Sequence, residues 1–104
     1  MSLVTLNEMK SYLSVDSADE NDLIQGMIQA AENLCMDVAR LTQEQWNAYS
    51  TDEISDEDAA ARELIRVAIF YTVGYLFEHR EDADHHALTL MLRSLLFSIR
   101  EGVI

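Results

Sequence analysis

The amino-acid sequence predicts an all-α protein, a single compact bundle of four main helices. The chain of 104 residues contains no proline and three glycines, and so few turn residues disfavour a β-sandwich. Apolar residues make up 49% of the chain and charged residues 25%, which is typical of a folded domain rather than a disordered tail. Much of the chain repeats apolar residues at three- and four-residue intervals, as a helix does. Because this length is that of one domain, we expect a single helical domain over residues 1–104.

Helix starts are marked by side chains that can cap them. Thr5 and Glu8 have the spacing of a capping box, in which a hydroxyl and a carboxylate satisfy two backbone amides. Ser17 and Glu20 have the same spacing. The other candidate signals are Thr42 with Gln45, Ser55 with Asp58, Asp84, and Gly102 as the end of the last helix. The main helices predicted from these signals span about residues 6–13, 18–40, 56–79 and 85–101, and a possible short helix spans residues 43–48.

The third main helix carries more apolar surface than one face of a helix needs. From Val67 to Phe77 it is apolar on nearly every side, which indicates burial on several sides. Four helices hardly suffice to surround such a segment. We therefore expect either that it is the central helix of the domain or that one of its faces meets another subunit.

The charge of the chain excludes two classes of partner. Its net charge is −12, and residues 1–61 contain thirteen acidic and two basic residues. Duplex DNA and anionic membrane surfaces are bound through Lys and Arg, so we expect neither as a binding partner. The longest uncharged stretch has eleven residues, from Val67 to Phe77, which is too short to cross a bilayer.

No catalytic or metal-binding motif is present. His79, His85 and His86 match no strong metal-ligand spacing. Cys35 is the one cysteine and falls on the apolar face of the second helix, where a thiol behaves as a small hydrophobe. No glycine-rich phosphate loop or paired nucleophile and base appears. We predict that the chain is not an enzyme and has no catalytic residue, cofactor or metal ligand.

Two segments resemble a known family. The first runs from Val4 to Leu13, through an acidic linker, and into the sequence Met27-Ile-Gln-Ala-Ala-Glu32. The second is the long apolar helix that ends in Phe77-Glu78-His79-Arg80-Glu81, and Leu95-Leu96 to Arg100 follows it. In this order they resemble the small head–tail connector (adaptor) proteins of long-tailed bacteriophages and prophages. The chain departs from that family between residues 40 and 49, where it lacks the family's Gly-Arg loop, and it lacks the family's prolines.

The resemblance implies a structural function in virion assembly. It implies a ring of about a dozen copies, stacked between the portal protein and the tail-side connector proteins. Such a ring joins head to tail, and DNA passes through it after packaging without being bound specifically. The protein is then expected in the virion at the head–tail junction and in the bacterial host cytoplasm during assembly, with no membrane and no cofactor.

The end of the third main helix is the candidate interface with another subunit or partner. Polar side chains there either bridge subunits or cap the helix, or they are solvated charges in a turn. The alternative functions are an acidic regulatory or DNA-mimicking protein that binds a basic partner, and a small carrier or metal protein. The candidate interface residues are Phe70, Tyr71, Tyr75, Glu78, Arg80 and Glu81.

Overall fold

Helices make up all the regular secondary structure of residues 3–51 and 53–101, the part of the chain that the computed structural model describes. The prediction of an all-α bundle is confirmed. The long helix α4 packs against α1, α2, α3 and α5, so it is central to the bundle. The elements are α1 (Leu6–Leu13), a 3₁₀ turn (Ala18–Glu20), α2 (Asn21–Val38), α3 (Gln43–Tyr49), α4 (Asp56–Glu78), α5 (His85–Leu95) and α6 (Phe97–Arg100).

Side-chain capping sets the starts of four helices. The carboxylate of Glu8 accepts a hydrogen bond from the backbone N–H of Thr5, and the Thr5 hydroxyl accepts one from the N–H of Glu8. Thr42 and Gln45 form the same reciprocal pair at α3, which confirms the short helix. The remaining caps are Ser55 at α4 and Asp84 at α5.

The second predicted helix begins later than its sequence indicates. The Ser17 hydroxyl accepts a hydrogen bond from the N–H of Asp19, so it starts a 3₁₀ turn instead of a capping box with Glu20. The Glu20 carboxylate does not cap the helix start, because it forms an ion pair with Arg80 at 3.2 Å. The α-helix therefore runs from Asn21 and not from residue 18.

Two predicted helix ends also differ in the structure. The helix predicted to reach residue 40 ends at Val38, because Arg40 adopts a left-handed backbone conformation with φ of 57°. The predicted helix 85–101 is interrupted at Leu96, whose backbone departs from helical geometry while its buried side chain stays in the core. The predicted end at Gly102 lies outside the described residues.

The core lies between α4 and the helices around it. The buried Trp46 brings α3 into the core, and the partly buried Tyr49 of the same helix also packs against the core. Cys35 is completely buried, as its place in the apolar stripe predicts. Fully buried side chains come from α1, α2, α4, α5 and the chain around Leu96. The largest are Met9, Ile24, Ile28, Ile65, Ile69, Leu92 and Leu96.

An arginine ties α1 to α4. The guanidinium of Arg66 lies 2.6 Å from the Glu8 carboxylate and donates a hydrogen bond of 2.6 Å to the carbonyl of Leu3. It also lies over the ring of Phe70, at 5.7 Å from the ring centroid. The hydrogen bond from Arg66, and then that from the N–H of Thr5, lower the pKa of Glu8 to about 2. The ion pair therefore persists over the whole neutral and mildly acidic range.

Candidate functional site

One face of α4 is left uncovered from Asp56 to Tyr71 and again at Glu78. From Asp56 to Tyr71 the exposed positions on this face follow one another at intervals of three and four residues, and Glu78 lies seven residues beyond Tyr71, so they form a single line along the helix. Val67 is 53% exposed and Tyr71 37%, between carboxylates that lie further along the same line. We call this surface the α4 stripe. Its exposed residues are Asp56, Ala60, Glu63, Val67, Tyr71 and Glu78.

An aromatic side chain from α1 enlarges the apolar part of the α4 stripe. Tyr12 is 55% exposed, and its ring packs against Phe70 with centroids 5.1 Å apart. Tyr12 also covers Gly74, since a Cβ atom at that position would lie 3.2 Å from the ring carbon Cε2. The glycine thus allows the two helices to bring Tyr12, Phe70, Val67 and Tyr71 to neighbouring positions. The result is a small apolar surface with acidic residues on both sides along the helix.

The predicted interface residues divide into two groups. Tyr71 lies on the α4 stripe, and Phe70 is half-buried beside it under Tyr12. Tyr75 is half-buried instead: its ring stacks on that of His79 at 4.3 Å, and its hydroxyl accepts a hydrogen bond from the N–H of Asp84. Tyr75 thereby holds the turn between α4 and α5 in place.

At the end of α4, the charged side chains predicted for the interface behave differently from one another. Arg80 stacks over the ring of Phe77 at 4.3 Å, donates a hydrogen bond to the carbonyl of Phe77, and pairs with Glu20. Arg80 thus caps the helix end and fastens it to the 3₁₀ turn. Glu78 and Glu81 are exposed. Only Glu78 belongs to the α4 stripe.

A second site lies at the end of α5 and along α6, and we call it the arginine pocket. It is an open pocket of about 680 Å³ whose lining brings three arginines together with exposed apolar side chains. Phe97 is 58% exposed and Leu90 is 49% exposed. The lining residues are Arg40, Leu90, Arg93, Ser94, Phe97, Arg100 and Glu101.

The three arginines of this pocket have no ion pair with any carboxylate among residues 3–51 and 53–101. The Nε atom of Arg100 is buried and has no hydrogen-bond partner within the described part of the chain. Arg40 holds a left-handed conformation that side chains other than glycine adopt at a cost. Three of the seven basic residues of an acidic chain therefore line one pocket, and none of the three forms an ion pair in the described part of the chain.

The arginine pocket is not predicted by the sequence pattern. Arg93 and Arg100 are seven residues apart, which places them on one side of a helix and was a usable signal. Arg40 lies two residues beyond the end of α2, and no pattern in the sequence indicates that it meets the other two arginines. The interruption at Leu96 also reorients Phe97 and Arg100, and this too is invisible in the apolar periodicity.

Groups with metal-binding or nucleophilic chemistry do not cluster within residues 3–51 and 53–101. No set of three or more His, Cys, Asp or Glu side chains there is placed to hold a metal ion. Burial raises the pKa of the Cys35 thiol to about 12, so the thiol stays protonated at neutral pH. Among the helices of the same residues, none is both long enough and apolar enough to cross a membrane.

Comparisons with models of known families, with curated proteins and with solved structures find no match to this chain. The two surfaces of the molecule, the α4 stripe and the arginine pocket, are therefore interpreted from their own residues.

Proposed function

We propose that this chain is a structural assembly protein, a ring-forming head–tail connector of a bacteriophage or prophage that stacks on the portal protein and joins head to tail. The observation that carries the proposal is the α4 stripe. The central helix of a small bundle keeps Val67 and Tyr71 exposed, and the exposed Tyr12 of α1 packs on the adjacent Phe70. Aromatic residues in a contiguous exposed surface are typical of a site that another protein covers.

The distribution of apolar surface supports self-assembly more than a role as an isolated monomer. Single exposed hydrophobic residues are normal on a protein surface, and Leu23 on α2 is one of them. The apolar residues of the α4 stripe, by contrast, are adjacent and are joined by Tyr12 and Phe70. A closed ring covers such a surface on every copy at once.

The charge of the chain is compatible with a conduit for DNA. A protomer with a net charge of −12 does not hold phosphates, so DNA passes a ring of such protomers without being retained. Like charges also oppose association of dilute protomers at low salt. We therefore expect the ring to form at high protein concentration or on contact with the portal protein, in the bacterial cytoplasm, before it becomes part of the virion.

Light scattering combined with electron microscopy tests this function. At about 0.15 M salt, where the charge repulsion is largely screened, the wild-type chain is expected to form rings as its concentration rises. Tyr71→Glu places a charge in the apolar part of the α4 stripe, and we expect it to weaken assembly by tenfold or more, equal to about 1.4 kcal/mol.

Leu23→Glu is the matched control, because it introduces the same charge at an exposed leucine outside the α4 stripe. It is expected to assemble like the wild type. A wild-type chain that is monomeric at every concentration and does not bind a portal protein contradicts the proposal. A monomer that instead binds a basic protein tightly favours the alternative, an acidic regulatory or DNA-mimicking protein.

A further inference from the structure

The arginine pocket has the composition of a binding site for a partner that is both acidic and apolar. Elsewhere in the molecule, arginines are engaged: Arg66 pairs with Glu8, and Arg80 pairs with Glu20. In the pocket, the guanidinium groups of Arg40, Arg93 and Arg100 have no carboxylate partner among residues 3–51 and 53–101. Guanidinium groups bind carboxylates through paired, charge-assisted hydrogen bonds, so the pocket offers ready positions for them.

The apolar side chains of the pocket lining indicate that the partner carries apolar groups as well as carboxylates. Phe97 and Leu90 are exposed within the pocket, and a partner that brought only charges would leave them in contact with water. Exposed aromatic and arginine side chains together are the residue types enriched where proteins bind proteins. The single acid of the lining, Glu101, offsets part of the positive charge but leaves the pocket basic. A protein surface with carboxylates beside apolar side chains is the matching occupant.

Such a surface is present on the same molecule. On the α4 stripe, Glu63, Val67 and Tyr71 follow one another within about 12 Å of helix length, given the rise of 1.5 Å per residue. Glu63 lies 3.6 Å from Nε of Arg66, and 66% of its side chain stays exposed to a partner. Lys and Arg are absent from the exposed positions of this stripe. Its charge and its apolar character therefore complement those of the arginine pocket.

We propose that the arginine pocket of one copy receives the α4 stripe of a second copy of this chain. The inference rests on the proposed function and deepens it, since it names both surfaces through which the protomers join. Because the two surfaces differ, the contact is heterologous: each copy uses its pocket on one side and its stripe on the other. Every added copy leaves one pocket and one stripe open, so assembly continues until the chain of copies closes.

A mixing experiment tests this arrangement. Arg93→Glu disables the pocket and keeps the stripe, whereas Tyr71→Glu disables the stripe and keeps the pocket. At about 0.15 M salt, each variant alone is expected to lose assembly by tenfold or more. Their equimolar mixture is expected to form dimers and nothing larger, because one intact stripe meets one intact pocket and the other two surfaces repel each other.

Lys10→Glu serves as the control, because it changes the net charge as Arg93→Glu does and does not line the arginine pocket. Thermal unfolding of each variant verifies that it is folded. A wild-type chain that assembles while Arg93→Glu assembles equally well overturns this inference and leaves the proposed function standing. A mixture that forms the same large particles as the wild type also overturns it. A wild-type chain that never associates with itself and does not bind a portal protein overturns both.

Discussion

Arginine has two different roles in the two halves of this molecule. Between α1 and α4, Arg66 makes contacts within its own chain: it forms an ion pair with Glu8, donates a hydrogen bond to the carbonyl of Leu3 and lies over the ring of Phe70. At the arginine pocket, Arg93 and Arg100 lie beside exposed apolar side chains and have no ion pair in the described part of the chain. The first arrangement stabilises one chain, and in the contact that we propose the second offers its charges to another copy.

This comparison shows why counting charges does not reveal function in an acidic protein. Carboxylates outnumber basic residues so strongly that an acid is available for nearly any arginine. An arginine cluster without an ion pair in the described part of the chain is therefore informative, because the free energy of the folded chain gains nothing from leaving it unpaired. The left-handed backbone at Arg40 supports this interpretation, since glycine is the usual residue there.

The largest expected difference between the two regions is in stability. Arg66→Ala removes a half-buried ion pair, a hydrogen bond to the Leu3 carbonyl and a contact with Phe70, and we expect it to lower the free energy of unfolding by about 2–3 kcal/mol. Arg93→Ala removes an exposed side chain that has no ion pair in the described part of the chain. We expect it to change the free energy of unfolding by no more than about 0.5 kcal/mol. Urea unfolding of both variants measures the contrast, and equal losses would contradict the division of roles.

Replacing Arg40 with glycine is expected to have a smaller effect on the free energy of unfolding, and in the opposite direction. Arg40→Gly relieves the cost of a left-handed conformation and is expected to raise the free energy of unfolding by about 1 kcal/mol. The same variant removes one guanidinium from the pocket, so it is expected to assemble less well than the wild type.

Ser14→Gly is the matched control for that variant. Ser14 ends α1 with φ of 59°, close to the φ of Arg40, and does not line the arginine pocket. It is expected to gain stability without losing assembly. If Arg40→Gly assembles as well as Ser14→Gly, Arg40 has no role in the contact between copies.

The fold was largely predictable because local signals and the tertiary structure agree. The capping boxes at Thr5 and Thr42 form as their spacing indicates, and α1 has the predicted bounds. The predicted capping box of Ser17 and Glu20 was wrong, because a distant side chain competes with the helix start for the Glu20 carboxylate. Glu20 pairs with Arg80, sixty residues away, and so does not cap its own helix.

The candidate site was predictable only in part, for the same physical reason. The excess of apolar residues on α4 is visible in the sequence, and Tyr71 is exposed in the structure. An aromatic residue such as Tyr75 and a charged residue such as Arg80 are both common in interfaces, so the sequence alone makes them interface candidates. In the structure, both make contacts within the chain that hold the end of α4 in place. The arginine pocket forms because Arg40, just beyond α2, lies near α6 in the folded chain. The spacing of residues within either segment does not predict this long-range contact.

Chemical cross-linking of a variant with two added cysteines tests most directly whether the α4 stripe meets the arginine pocket of the next copy. Val67→Cys and Leu90→Cys place one thiol on each surface, and the buried Cys35, with its pKa of about 12, contributes little background reaction. With a short thiol-specific cross-linker, we predict a ladder of covalent multimers for the double variant. An equal mixture of the two single variants is predicted to give dimers alone. A double variant that remains monomeric under conditions in which the wild type forms rings would contradict this contact.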